Sequence, residues 1–140
     1  MKKLYFLLFT LMTVVTLTCC EKDEKGDLTG DSSTNEKSWA KLAETYPFLS
    51  AFPAYDGEID IHNFNDSFGM EALSFFDYDC EKANFDAYKS KIETAGFTQK
   101  SAIESGNQSS LSYEKEVTDG TLSAIISYSG NNFSAVLSKL

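Results

Sequence analysis

Residues Leu4–Thr18 carry no charge. They read LYFLLFTLMTVVTLT, after two lysines at positions 2 and 3 and before a pair of cysteines, Cys19-Cys20. A helix that crosses a membrane needs about 20 apolar residues, and this run stops short of that. A basic start, an apolar stretch of this length and a boundary of small residues read as a secretory signal. The alternative is an N-terminal anchor that is never cut. On the first reading, residues 1–19 leave the chain, and whatever folds is built from the remainder.

The boundary Leu17-Thr18-Cys19-Cys20 resembles the lipobox of bacterial lipoproteins, in which a cysteine becomes the first mature residue. Cys20 fits best, with Leu17 three before it and small Cys19 directly before it. Cys19 is the second choice, because Thr16 would then hold the usual Leu position. The resemblance implies a diacylglyceryl group joined to the Cys20 thiol as a thioether. Acyl chains contribute about 0.8 kcal/mol per buried CH₂, so several together hold a protein at the membrane. Glu21-Lys22-Asp23-Glu24 follows at once and resembles the surface-export signal of Bacteroidetes lipoproteins; a plain soluble spacer is the alternative. The expected location is the outer membrane, lipid-anchored and facing the exterior. With Cys20 lipidated and Cys19 removed, Cys80 is the one free thiol. It reads as a small buried hydrophobe near a helix start, or as a group for pairing between chains.

Residues 20–37 form the lipidated cysteine and a tether. Glu21–Lys37 holds no aromatic residue and one large aliphatic, Leu28. Such a segment cannot offset its ordering entropy by burial, which predicts disorder. Seventeen flexible residues reach roughly 20–25 Å.

Residues 38–140 read as one α+β domain with seven lysines against fifteen acids, a net charge of −8. No arginine occurs in the chain. A nucleic-acid binder needs a basic stripe, so that class is disfavoured. An anionic membrane repels an acidic domain, which leaves the anchor as the expected membrane contact.

Trp39, Leu42, Ala43 and Tyr46 follow helical spacing behind a candidate cap, Ser38. Pro47 and Pro53 end that helix and shape a loop. A strand is expected at 58–63, with Ile59 and Ile61 inward and Glu58, Asp60 and His62 outward. A second is expected at 69–78, where Leu73/Phe75 and Phe76/Tyr78 fall on opposite faces. The clearest helix is 81–95: Phe85, Tyr88, Ile92 and Ala95 share one side, and Gly96 is a natural end. Strands follow at 97–104, 110–117, 121–128 and 132–138, with turns at Asp119-Gly120 and Gly130-Asn131. The expected architecture is an antiparallel sheet of five to six strands. One long helix and a short N-terminal helix would cover one face.

The domain resembles small bacterial lipoprotein domains of unknown function from gut Bacteroidetes and Firmicutes. The matching residues are Trp39, Phe52-Pro53, Gly57-Glu58-Ile59, Phe85-Asp86-Ala87-Tyr88, Ala95-Gly96-Phe97, Tyr113, Asp119-Gly120, Tyr128 and Ser138-Lys139. The resemblance implies fold and location and carries over no catalytic residue. Cys80 stands where a Ser or Thr is usual.

Few residues suggest chemistry. His62 is the one imidazole, and nothing in the spacing puts Cys80 beside it. Asp56, Glu58 and Asp60 are spaced like the start of a Ca²⁺ loop but lack its distal Glu, so a solvated strand face is favoured. Asp77, Asp79 and Glu81 are spaced similarly; Asp79 reads as a helix cap and Glu81 as an acid that complements the helix dipole. No metal or cofactor is implied, and no catalytic residue is assigned. Trp39, Tyr46, Phe48, Phe52 and Tyr55 cluster in the first helix and the proline-bounded loop. They are the candidate binding surface, an aromatic platform for a glycan or a protein, unless the segment closes one end of the core. The expected function is non-enzymatic binding. A subunit or inhibitor role in an envelope complex is the rival reading, and a small hydrolase a further one.

Overall fold

Six antiparallel strands form one sheet in the order β1-β2-β6-β5-β4-β3. The structure is a computed structural model and describes residues 37–140. The expected signal at 1–19, the lipid attachment at Cys20 and the tether through residue 36 lie outside the described residues. The strands are β1 (Ile61–Ser67), β2 (Met70–Asp77), β3 (Thr98–Ser105), β4 (Gln108–Val117), β5 (Gly120–Ser129) and β6 (Asn132–Lys139). Helix α1 (Trp39–Thr45) and a 3₁₀ turn (Pro47–Ala51) precede the sheet, and α2 (Lys82–Thr94) joins β2 to β3.

The turns follow from local chemistry. Gly130-Asn131 connects β5 to β6 with both residues at positive φ, 53° and 66°, the geometry that matches strand twist. Phe68-Gly69 does the same between β1 and β2 at 58° and 77°, which leaves a bulky aromatic fully exposed at a hairpin tip. Helix α2 ends as its sequence predicts. Gly96 N–H donates to Glu93 O, and Phe97 N–H reaches back to Ile92 O. Gly96 takes φ 88°, and this paired arrangement satisfies the last carbonyls.

The chain is mostly sheet, and the expected dominance of one long helix does not hold. Six strands at about 4.8 Å spacing make a face wider than one helix of about 10 Å diameter covers. The 13 residues of α2 bury Phe85, Tyr88 and Ile92 against the β5–β6 side, where Phe85 lies 5.4 Å from Tyr128 and 6.2 Å from Phe133 between ring centroids. The rest of the face is covered by α1, the 3₁₀ turn and the segment that follows. Tyr46 stacks on Phe64 at 4.5 Å, Phe52 stacks on Phe97 at 5.4 Å, and Tyr55 stacks on Phe133 at 4.8 Å. The chain before β1 thus shares the covering with α2. Each fully buried large side chain is worth about 1.5–3 kcal/mol. Among the described residues these side chains form one core cluster, and residues 37–140 have a length typical of a domain.

One strand departs from its expected phase. Ile59 is buried, but Ile61 is exposed and His62 is buried. The strand begins at Ile61 rather than 58. Ile59 N–H is bonded to Lys37 O, outside the ladder, and Asp60 N–H to Phe76 O. The backbone is irregular through Ile59-Asp60, just before the strand begins, so simple alternation carried across it inverts. In β2 no bulge intervenes: Leu73 and Phe75 face the core while Phe76 and Tyr78 face solvent.

Candidate functional site

Four of the five candidate platform aromatics are buried in the core: Tyr46, Phe48, Phe52 and Tyr55; Trp39 is half-buried 6.1 Å from Phe75. The structure therefore gives this segment the core-closing role, and no ring of the five is offered flat to solvent as a sugar platform needs. The physical reason is the width of the sheet, which these rings are required to cover.

Phe48 does reach a cleft. It lies between the 3₁₀ turn and the β4–β5 hairpin, has a volume of about 520 Å³, and is lined by Pro47, Phe48, Ser50, Ala51, Glu71, Val117, Thr118, Asp119, Leu122 and Lys139. That volume falls in the range of small-molecule sites. One wall is apolar, from Phe48, Val117 and Leu122. Glu71 and Lys139 are cross-strand partners, and with Asp119 they set charges of both signs around it. None of the three enters an ion pair within 4 Å among the described residues. The sequence reading missed Glu71 and Lys139. Their signal was available: each sits two residues beyond a buried residue, Leu73 and Leu137, on the inward phase of its strand. A charged residue in that phase requires open space at the sheet end. Asp119 was read as a turn residue alone, and the two-residue loop is in fact Thr118-Asp119, with Gly120 already paired to Val117.

A buried polar cluster sits at the opposite end of β2. Tyr55 Oη donates to Asp77 Oδ2 at 2.6 Å and lies 3.4 Å from Cys80 Sγ. Asp79 N–H donates to Asp77 Oδ1, and the Cys80 thiol donates to Glu81 O. Gly57 makes room for this arrangement, since a Cβ there would fall 2.4 Å from Tyr55 Oη. Burial, then the Asp77 hydrogen bond, pushes the Tyr55 hydroxyl well above its ordinary range. Burial likewise raises the Cys80 thiol, against a smaller opposing pull from the Tyr55 hydrogen bond. Both groups hold their protons, and a protonated buried thiol is a poor nucleophile. Cys80 is buried as its apolar reading expects, and its bonds go to Tyr55 and Glu81 rather than to His62.

The remaining acids are dispersed among separate partners. Asp56 pairs with Lys91 at 2.5 Å, Glu58 with Lys37 at 3.3 Å, and Asp60 accepts from Tyr78 N–H at 2.9 Å. They do not converge on one point. Two buried polar atoms lack a hydrogen-bond partner among the described residues, His62 Nε2 and Tyr88 Oη.

Comparison with protein-family models, curated proteins and solved structures returned no match.

Proposed function

We propose that this chain is a lipid-anchored outer-membrane or cell-surface lipoprotein that acts as a non-enzymatic binding module, with the cleft beside Phe48 as its ligand site. The lipobox-like Leu17–Cys20 supports the anchor, and the apolar run before it supports export. The observation that carries the binding reading is the cleft itself: an apolar wall edged by Glu71, Asp119 and Lys139, with none of these charges paired among the described residues. That chemistry suits a ligand with an apolar body and polar groups of both signs, as at the end of a peptide. It suits a glycan less, because Phe48 presents little ring face to solvent. A subunit or inhibitor role in an envelope complex is the second reading, favoured by the open outer face of the sheet.

Two experiments test this. Fatty-acid labelling of the full chain in cells should be lost in Cys20→Ala and kept in Cys19→Ala; labelling unaffected by Cys20→Ala overturns the anchor. A thermal-shift comparison of residues 37–140 with short peptides and with oligosaccharides tests the cleft. A ligand at 100 times its dissociation constant stabilises by about 2.7 kcal/mol, or roughly 10 °C for a domain of this size. Stabilisation by peptide that Lys139→Glu removes supports the reading. No shift across both panels sinks it.

A further inference from the structure

Among the described residues, no segment covers the face of the sheet turned away from the helices. Register places its outward side chains in rows that cross all six strands. One row reads Ile61, Phe76, Ser134, Ser127, Ser110, Ile103 from the β1 edge to the β3 edge. The next reads Asn63, Ser74, Val136, Ile125, Ser112, Ser101. Ile61, Phe76, Tyr78, Ile125 and Val136 are all exposed, and they are contiguous. Ile61 is directly opposite Phe76, Val136 is opposite Ile125, and the Phe76 and Tyr78 rings stack 6.2 Å apart. Phe76 and Val136 are diagonal neighbours, within reach of each other. Isolated surface apolar residues need no explanation, but a connected patch does.

We infer that this face packs against the same face of a second copy of the chain, sheet on sheet, about a two-fold axis parallel to the strands. Three observations single out a second copy. First, such an axis lays each row over itself reversed, and the rows suit that operation. Val136 then meets Ile125, Ser74 meets Ser112, and Ser134 meets Ser127. The large Phe76 meets the small Ser110, and Ile61 meets Ile103. An isologous contact requires this self-complementarity. Second, the domain is strongly acidic, so two copies repel over most of their surfaces. The outer face carries little charge around the apolar patch: Glu114 is paired with Lys100 at 3.3 Å on the far β3–β4 side, and Glu116, at the far end of β4, accepts from Thr121 Oγ1. Third, covering the serines costs little. Ser110 and Ser127 hydroxyls bond each other at 3.0 Å, and those of Ser101 and Ser112 at 2.7 Å, so their bonds survive the loss of water.

The area is sufficient. Six strands about 4.8 Å apart and about eight residues long at ~3.4 Å each give roughly 650 Å² per copy. Two such faces bury about 1,300 Å², above the roughly 1,000 Å² that a specific interface requires. Small side chains let the sheets approach the usual ~10 Å.

Sedimentation equilibrium of residues 37–140, which carry the described core cluster, tests the inference. The expected result is a dimer at about 100 μM that Val136→Glu converts to monomer, weakening association at least 100-fold. Ser134→Lys, an outward position of opposite added charge, should do the same, and circular dichroism should show both variants folded. Lys41→Glu, on exposed α1, should stay dimeric. A wild-type monomer throughout this range overturns the proposal. So does a dimer that survives both outer-face variants, or one that Lys41→Glu dissociates equally.

Discussion

Tyr55 Oη donates a 2.6 Å hydrogen bond to Asp77 Oδ2 across 22 residues of sequence. It ties the loop that covers the sheet to the end of β2, where the chain leaves for α2. The Tyr55 ring contributes as well, stacked on Phe133 and edge-on to Tyr88 at 5.2 Å. Tyr55→Phe keeps the ring and removes the donor, leaving one carboxylate oxygen of buried Asp77 without it. Unmet buried groups cost about 1–3 kcal/mol, more when charged. Urea unfolding of Tyr55→Phe should show a loss in that range with an unchanged denaturant slope. A loss below about 0.5 kcal/mol would mean that solvent replaces the bond.

Tyr55, Tyr88 and Tyr113 all have hydroxyls pushed above the ordinary tyrosine range, each chiefly by burial; Tyr55 is raised further by Asp77 and Tyr113 by Glu93. In the unfolded chain they ionise near pH 10. Above that pH the unfolded state binds fewer protons than the folded state, so stability falls as pH rises. Below pH 10 their contribution is fully present. Each tyrosine still protonated in the fold takes away about 1.4 kcal/mol per pH unit above that point. Unfolding free energies measured from pH 8 to 11.5 should be flat as far as these tyrosines contribute, then drop steeply from about pH 10. The share of the tyrosinate absorbance that comes from Tyr55, Tyr88 and Tyr113 should rise together with unfolding rather than before it. The double variant Tyr55→Phe/Tyr88→Phe should make the alkaline slope shallower.

Where the sequence was legible, one local rule decided the outcome. The α2 face of Phe85, Tyr88 and Ile92, the Gly96 end and the strand expected at 121–128 all depend on local pattern within one element, and all are placed as the pattern predicts. What was illegible depended on two elements at once. His62 is inward because irregular backbone at Ile59-Asp60 resets the strand phase. For Phe52 and Tyr55 the sequence offered a platform or a core-closing segment; they are buried, as the second expects, because a six-stranded sheet is too wide for α2 alone. The cleft needs Glu71 of β2, Asp119 of the β4–β5 loop and Lys139 of β6 together, and only the strand order brings β2 beside β6.

Tyr88 carries a different expectation from Tyr55. Its hydroxyl is buried and has no partner among the described residues. The adjoining cavity, lined by Tyr55, Gly57, Asn84 and Lys91 among others, measures about 30 Å³, room for about one water. Removing an unsatisfied hydroxyl removes its desolvation cost. Tyr88→Phe should therefore be neutral or stabilising by up to about 1 kcal/mol in urea unfolding. A loss above 1 kcal/mol would show that a bound water gives this hydroxyl a full hydrogen bond. High-field NMR detection of a long-lived water near Tyr88 would then confirm its source.

Cys80 should be inert in the fold and ordinary outside it. It is buried, its proton is held more tightly than a free thiol's, and it bonds to Tyr55 and Glu81. A thiol reagent reacts with the thiolate, so both ionisation and access oppose attack. In residues 37–140, where it is the sole cysteine, modification must await opening of the fold. Opening that costs about 5 kcal/mol should slow the reaction by roughly 10³–10⁴ relative to the same chain in urea. Tyr55→Phe removes a neighbour of the sulfur as well as the bond to Asp77. Its labelling rate should therefore rise in proportion to the stability it loses, about tenfold for each 1.4 kcal/mol. Labelling at the unfolded rate in native buffer would place the thiol at the surface. A rate that rises in Tyr55→Phe by far more than the stability loss would instead mean that the loop at Tyr55 opens locally, separately from the sheet.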